Sequence, residues 1–253
     1  MKRIVLVIIA LALAVSSAAG LASEISKVYY QGKPLIIYKD IVIINGKLQT
    51  GVPLTISTDR AEEGAINNTA KATVRITAFT EAGRTNTAGS GVNISPEGLI
   101  ITSAHVIVDA ISVSVTFFNG RSFPAVITAI DHQMDIAVLS LGVPRDNLPA
   151  ISLGNSHDVR VGDEITIFGY PLGDFSVTPG TISRTNVPRG QYSVPSIHLD
   201  AIVLKGNSGG PVIDYYGNVI GIIVGSYYTE DEEQRVSSGV AIPIDEAKRL
   251  LYD

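Results

Sequence analysis

From residue 72 to residue 243 the chain is a succession of short Val/Ile-rich runs, and no amphipathic helical pattern longer than two turns interrupts them. Examples are Thr73–Phe79, Leu99–Ser103, Ser112–Phe118, Ile136–Leu141, Glu164–Gly169, Ser196–Val203, Val219–Val224 and Gly239–Ile242. They recur about every 8–15 residues, between turn pairs such as Asn119-Gly120 and Gly217-Asn218. β-branched runs punctuated by turn residues predict an all-β sandwich or barrel. Only Asp245–Leu251 has helical spacing, with Ala247, Leu250 and Leu251 on one side. It predicts a short terminal helix packed on the last strands.

The amino-terminal part reads differently. Lys2 and Arg3 precede an unbroken apolar run, Ile4–Val15, and then the small residues 16–22. That is the three-part form of a secretory signal, cleavable after Ala19 or Ala22. Twelve apolar residues span only about 18 Å as a helix, short of a bilayer core of roughly 30 Å. Retention of residues 1–22 as an uncleaved anchor is the competing reading, and either way the remainder is exported. Residues 27–58 alternate as strands around the hairpin signal Asn45-Gly46, a β appendage with no chemistry of its own. Residues 59–70 read as a polar linker or a short helix.

Composition narrows the chemistry. There is no cysteine, so a thiol nucleophile, a disulfide framework and a Cys-based zinc site are excluded. The four histidines, His105, His132, His157 and His198, form no HExxH or i, i+4 pair, so neither metal nor cofactor is expected. Loss of Lys2 and Arg3 takes the net charge from −5 to −7. No basic stripe exists to bind nucleic acid.

Three short segments carry the reactive side chains. Residues 206–211 read Gly-Asn-Ser-Gly-Gly-Pro, residues 102–105 read Thr-Ser-Ala-His after an apolar strand, and residues 135–139 read Asp-Ile-Ala-Val-Leu. Each alone is ordinary turn or strand-end chemistry. Their order, His then Asp then Ser within a β-barrel pattern, is hard to obtain by accident. Asp109 and Asp131 compete with Asp135 for the acidic role; only Asp135 directly starts a strand.

With these motifs the chain resembles the trypsin-like serine proteases, and more narrowly their HtrA/Deg branch. The resemblance covers residues 72–250. It includes Gly89-Ser90-Gly91, Gly98 through His105, Asp131 through Leu139, Phe168 through Gly173, Asp200-Ala201, Gly206 through Pro211 and Gly239 through Pro243. It implies an all-β fold of two six-stranded antiparallel barrels, about 71–145 and 150–253, with a short carboxy-terminal helix. A segment at 23–70 and a signal at 1–22 would precede them. It implies Ser208 as nucleophile, His105 as its base and Asp135 as the group that orients the imidazole. The amides of Gly206 and Ser208 would form an oxyanion hole. Ile202, Val203 and Leu204, facing Val224, Gly225 and Ser226, would line an apolar pocket suited to small or medium aliphatic residues. Strand 223–226 would pair with substrate backbone.

The expected function is therefore an exported serine endopeptidase acting on unfolded polypeptides. The alternative is a catalytically silent binding module of the same fold at the cell surface. Expected partners are polypeptide substrates, no nucleic acid, and a membrane only through an uncleaved residue 1–22 segment. Two departures stand out. Asn207 occupies the position where digestive relatives carry Asp, so activation by clipping is not implied. Leu204-Lys205 replaces the branch's usual Asn-Pro. The branch's carboxy-terminal PDZ domain is not expected after Asp253.

Overall fold

The computed structural model describes residues 60–251 apart from 80–84, 143–146, 191–193 and 232–233, together with four strands between residues 28 and 50. The secretory signal expected at 1–22 lies outside the described residues. The four early strands are β1 (Val28–Tyr30), β2 (Lys33–Ile37), β3 (Ile41–Ile44) and β4 (Lys47–Thr50). β1 pairs with β2, and β3 with β4; the hairpin signal Asn45-Gly46 lies outside the described residues. The polar stretch that follows is a helix, α1 (Arg60–Ala72).

Six antiparallel strands then close a first barrel: β5 (Thr73–Phe79), β6 (Thr85–Asn93), β7 (Leu99–Ser103), β8 (Ser112–Phe117), β9 (Ser122–Asp131) and β10 (Ile136–Ser140), in the order β10-β7-β6-β5-β8-β9. The one-turn helix α2 (Ala104–Ile107) follows β7 directly. The second barrel is built from β11 (Glu164–Gly169), β12 (Ser176–Val187), β13 (Ser196–Asp200), β14 (Pro211–Ile213), β15 (Val219–Asp231) and β16 (Gln234–Pro243). Its ring runs β12-β11-β14-β15-β16 and closes through β13, which pairs with both β16 and β12. β2 and β3 extend this sheet at β12 and β16. The helix α3 (Ile244–Arg249) ends the fold close to its predicted place.

Burial explains why several strands read as continuous apolar runs rather than alternating ones. Along β7, Ile100 packs inside the first barrel, while the next residue, Ile101, packs in a second cluster that also contains Phe168, Ile222 and Ile242 of the other barrel. Likewise Ile220 and Ile223 fill the second barrel and Val219 and Ile222 face the shared cluster. A strand buried on both faces needs apolar residues at every position. The fold thus has three cores, one inside each barrel and one between them. With no disulfide present these must supply the stability. A cross-link is typically worth about 2–4 kcal/mol, and two fully buried aliphatic side chains contribute as much.

The sequence underestimates β12, reading only Gly180–Arg184 as strand. Pro179 and Gly180 within it mask the pattern, and register shifts at Ile182/Arg184 and Arg184/Val187 bend it.

Helix α3 is clasped to the segment that joins the barrels. Asp245 accepts from the Ser156 amide at 2.7 Å and its hydroxyl at 2.8 Å. Lys248 donates to Asp245 at 2.6 Å and to the Gly154 carbonyl. Burial pushes the Asp245 carboxyl up, but hydrogen bonds from Lys248 and Ser156 outweigh it and hold the group below the ordinary carboxylate range. A lowered folded value means that stability is gained above the unfolded value, about pH 4, and lost as pH falls through the folded one. Asp245→Ala is expected to cost about 1–3 kcal/mol at pH 7. Urea melts stepped from pH 7 towards about pH 2 should show the gap between wild type and variant shrink only below about pH 4.

Candidate active site

The first barrel positions His105. β7 and β10 pair so that Ser103 lies opposite Ile136, and the residues just beyond each strand meet. The Ala104 amide donates to the Asp135 carbonyl at 3.1 Å. The Asp135 carboxylate grips His105 twice: Oδ1 accepts from its backbone amide at 2.9 Å, and Oδ2 lies 2.8 Å from its Nδ1. A carboxylate only accepts, so it selects the tautomer protonated at Nδ1 and leaves the Nε2 lone pair free. Asp135 is mostly covered while nearly half of the His105 side chain is open to solvent. The carboxylate is reached by folding the backbone of Asp135 to φ 63°, a left-handed conformation that Asp tolerates better than bulkier residues.

The two competing carboxylates are placed elsewhere. Asp131 Oδ1 accepts from the amides of Gln133 and Met134 at 2.7 and 2.8 Å, capping the turn that leads to Asp135. Arg189, from the second barrel, donates to the Met134 carbonyl and steadies the same turn. Asp109 is exposed, beyond the end of α2.

The second barrel carries Ser208, half-buried, in the loop between β13 and β14. A Cβ on Gly89 would lie 2.7 Å from Val106 and 3.0 Å from the Ser208 carbonyl, so the residue after His105 and Ser208 itself flank one glycine. The loop is tied to its surroundings by main-chain bonds. Ser208 O accepts from the Ser90 amide at 2.8 Å, Gly209 N donates to Ile223 O at 2.6 Å, and Ile223 N donates to Gly210 O at 2.9 Å. Asn207 N donates to Leu204 O at 3.0 Å, closing a turn with Gly206 at its third position and φ 106°, the signature of a type II turn. Among the described residues the amides of Gly206 and Ser208 donate to no backbone carbonyl. Asn207 is buried, and its Oδ1 has no hydrogen-bond partner among the described residues. The glycine at 206 answers a packing constraint as well: a Cβ there would meet Tyr170 O at 2.5 Å and Pro171 Cα at 3.0 Å.

The expected pocket residues divide. Val203 is buried in the core of the second barrel, against Gly239. Ile202 is half-buried and Leu204 is exposed at the start of the loop. Val224 and Gly225 are half-buried and Ser226 is exposed. A Cβ on Gly225 would meet nothing within 4 Å, so this position borders open space. β14 accompanies β15 only as far as Ile222, and Gly209 and Gly210 continue the pairing to Ile223. Beyond that, among the described residues, 224–226 has a strand neighbour only on the β16 side. A cavity of about 380 Å³ bounded by Ile94, Leu99, Ile151, Leu153 and Leu251 contains none of these residues.

Two residues that sequence reading left without a role are prominent here. Ser90 is fully buried, and its hydroxyl joins Gly206 O at 2.6 Å to Tyr170 N at 2.8 Å. Ser103 is also buried and donates to Ile223 O across the seam at 2.7 Å. The Gly-Ser-Gly triplet at 89–91 was the available signal for the first, and the Thr-Ser-Ala-His segment at 102–105 for the second.

A histidine–aspartate pair on one six-stranded barrel, abutting a glycine-rich serine loop on another, is the architecture of the trypsin-like peptidases. The profile of the trypsin-like peptidase domain matches residues 89–222, just over half of the chain, and the chain belongs to that family. Its relatives are proteases of the HtrA type. The "Probable periplasmic serine endoprotease DegP-like" of Halomonas elongata is 42% identical over 162 residues, which make up 63% of this chain and 33% of that protein. The serine protease PepD of Mycobacterium tuberculosis is 35% identical over 195 residues, 68% of this chain and 42% of that one. The HtrA-type protease AlgW, solved with a tripeptide, superposes with a TM-score of 0.67 at 32% identity, covering 75% of this chain and 62% of the other. The serine endoprotease of Yersinia pestis gives 0.64 at 31% identity, over 79% of this chain and 66% of that one. The chain thus spans about a third to two fifths of the length of these curated relatives.

The serine loop is expected to tolerate no side chain at 209. Gly209 has φ 84°, and a Cβ there would overlap Ser90 O and Thr102 Oγ1. Gly209→Ala should cost about 3 kcal/mol or more, the strain of a left-handed residue added to an overlap that backbone atoms cannot relieve. Chemical denaturation monitored by circular dichroism measures it.

Proposed function

We propose that this chain is a serine endopeptidase in which Ser208, His105 and Asp135 form the catalytic triad. The observation that carries the reading is the double grip of Asp135 on His105, beside a serine loop in which, among the described residues, the amides of Gly206 and Ser208 donate to no backbone carbonyl. A serine hydroxyl is a weak nucleophile at neutral pH and needs a base within reach. With Nδ1 engaged by Asp135, Nε2 of His105 takes the Ser208 proton as Oγ attacks the scissile carbonyl. The amides of Gly206 and Ser208 receive the negative charge that develops on the carbonyl oxygen; one such donor is typically worth about 3–4 kcal/mol. His105 then returns the proton to the leaving amine, and water releases the acyl group by the same steps in reverse order of roles.

The free edge at 224–226 suits an extended substrate strand, which favours unfolded or loosely structured polypeptides. Ile202 and the open space at Gly225 favour small or medium aliphatic side chains at the cleaved residue. The action is extracytoplasmic, a reading supported by the signal-like residues 1–22 and by the periplasmic relative. Among the described residues no helix is long and apolar enough to cross a membrane.

Wild-type protein should react with a fluorophosphonate and hydrolyse a denatured protein; Ser208→Ala should do neither. Asp135→Asn should keep the fold and lose roughly 10⁴-fold in kcat, because the amide holds the wrong imidazole tautomer. Normal labelling of Ser208→Ala would end the proposal.

Cleavage-site profiling on a denatured protein library should return Val, Ala and Leu before the cut at least tenfold over Lys and Arg, and Ile202→Asp should raise cutting after Lys and Arg. A wild-type preference for basic residues would remove Ile202 from the pocket.

A further inference from the structure

We infer that Ser90, a residue of the first barrel, is a positioning residue for the oxyanion-binding amides of the second. The inference rests on the protease reading above.

Four bonds meet at this residue, which is fully buried. The Ser90 hydroxyl donates to Gly206 O at 2.6 Å and accepts from Tyr170 N at 2.8 Å. Its amide donates to Ser208 O at 2.8 Å, and its carbonyl accepts from Thr102 Oγ1 at 2.7 Å. Ser90 therefore holds the carbonyl of Gly206 and the carbonyl of Ser208 at once. These two residues carry the amides that face the developing oxyanion. Fixing Gly206 O fixes the peptide that continues to Asn207, and the turn closed by Asn207 N onto Leu204 O then orients the preceding peptide, which bears Gly206 N. The alternative turn, with that peptide rotated, would carry Gly206 N away from its place. A type II turn interconverts with type I by such a rotation, with few contacts changed.

The Ser90 hydroxyl also ties Gly206 to the 170–173 segment, where Leu172 N donates to Lys205 O at 3.0 Å. Leu172 and Gly173 have φ of 55° and 96°, so this segment is itself held in a left-handed path. Space around the hydroxyl is limited: a Cβ on Gly169 would lie 2.9 Å from it. A larger side chain at 90 would displace the segment it holds, and a smaller one would leave Gly206 O and Tyr170 N buried without partners.

The loss of Ser90 should act on transition-state stabilisation and leave ground-state binding alone, because the hydroxyl touches the loop and not the substrate strand. Ser90→Ala is expected to lower kcat on a peptide substrate at least tenfold with KM within twofold. It should weaken a peptide aldehyde, which places a tetrahedral oxygen in the hole, by a similar factor. Ser90→Cys keeps the site filled, with a slightly larger atom and a weak donor, and should stay low; recovery of kcat in that variant would assign the role to packing and overturn the inference. Val115→Ala, in the core of the first barrel, is the stability reference and should lower Tm while keeping kcat within twofold. An equal kcat loss in Val115→Ala at matched Tm would overturn the inference too. Hydrogen exchange decides the point apart from catalysis: in Ser90→Ala the hydrogen-bonded amides of Tyr170, Leu172, Gly173, Asn207, Gly209 and Gly210 should exchange at least tenfold faster than in Val115→Ala. Unchanged exchange there would overturn the role of Ser90, whereas a wild type that fails to react with fluorophosphonate would overturn the protease reading alone.

Discussion

The seam between the barrels is closed by hydrogen bonds to main-chain carbonyls, and the geometry of the cleft depends on it. Neither barrel holds all three residues of the proposed triad. His105 and Asp135 belong to the first, Ser208 to the second, and only the seam sets the distance between them. Its bonds run from Ser90 to Ser208 O and Gly206 O, and from Ser103 to Ile223 O. Backbone acceptors cannot change rotamer, so a seam built on them transmits position with little slack. Apolar packing of Ile101, Phe168, Ile222 and Ile242 beneath them supplies the adhesion, since dispersion and burial attract without direction.

The same logic explains the glycines near Ser208. Gly209 passes so close to Ser90 and Thr102 that a side chain would part the barrels, and a Cβ on Gly210 would overlap Phe168 O within the second barrel. Gly89 lets Val106 and Ser208 approach from opposite sides. These positions are small because two chains cross there. Of the non-glycine residues in the left-handed region, Asp135 lies beside His105 and Leu172 lies beside the serine loop. Such conformations persist only where surrounding contacts over-determine them, and here those contacts are Ala104 and His105 around Asp135 and the Lys205 carbonyl on Leu172 N.

The second barrel's hold on the first has a counterpart at the far end of the chain. Asp245 and Lys248 of the last helix grip Ser156 and Gly154 in the segment joining the barrels, and Ile244 and Ala247 enter the shared core. The barrels are therefore linked by hydrogen bonds near Ser208, by Arg189 on the Met134 carbonyl, and by a charged clasp on the segment between them. The clasp explains why the terminal helical pattern was so short: one turn and a half suffices when most of its stability comes from tertiary packing.

Much of this was legible in sequence. Turn chemistry and short Val/Ile-rich runs announced an all-β fold, and the clusters around 105, 135 and 208 announced the candidate site, because such motifs are local and their chemistry needs particular residue types. Choosing among Asp109, Asp131 and Asp135 rested on strand position and resemblance; the pairing of β7 with β10 brings Asp135 to His105. What sequence could not express is which residues meet across the barrels. Ser90 and Ser103 are small polar residues in buried strands, and Val203 looked as fit for a pocket wall as for the core it occupies. Side-chain alternation says that a residue faces one side or the other. Which partner waits on that side is decided by closure of each barrel and by the angle at which the two dock, and both are properties of the whole chain.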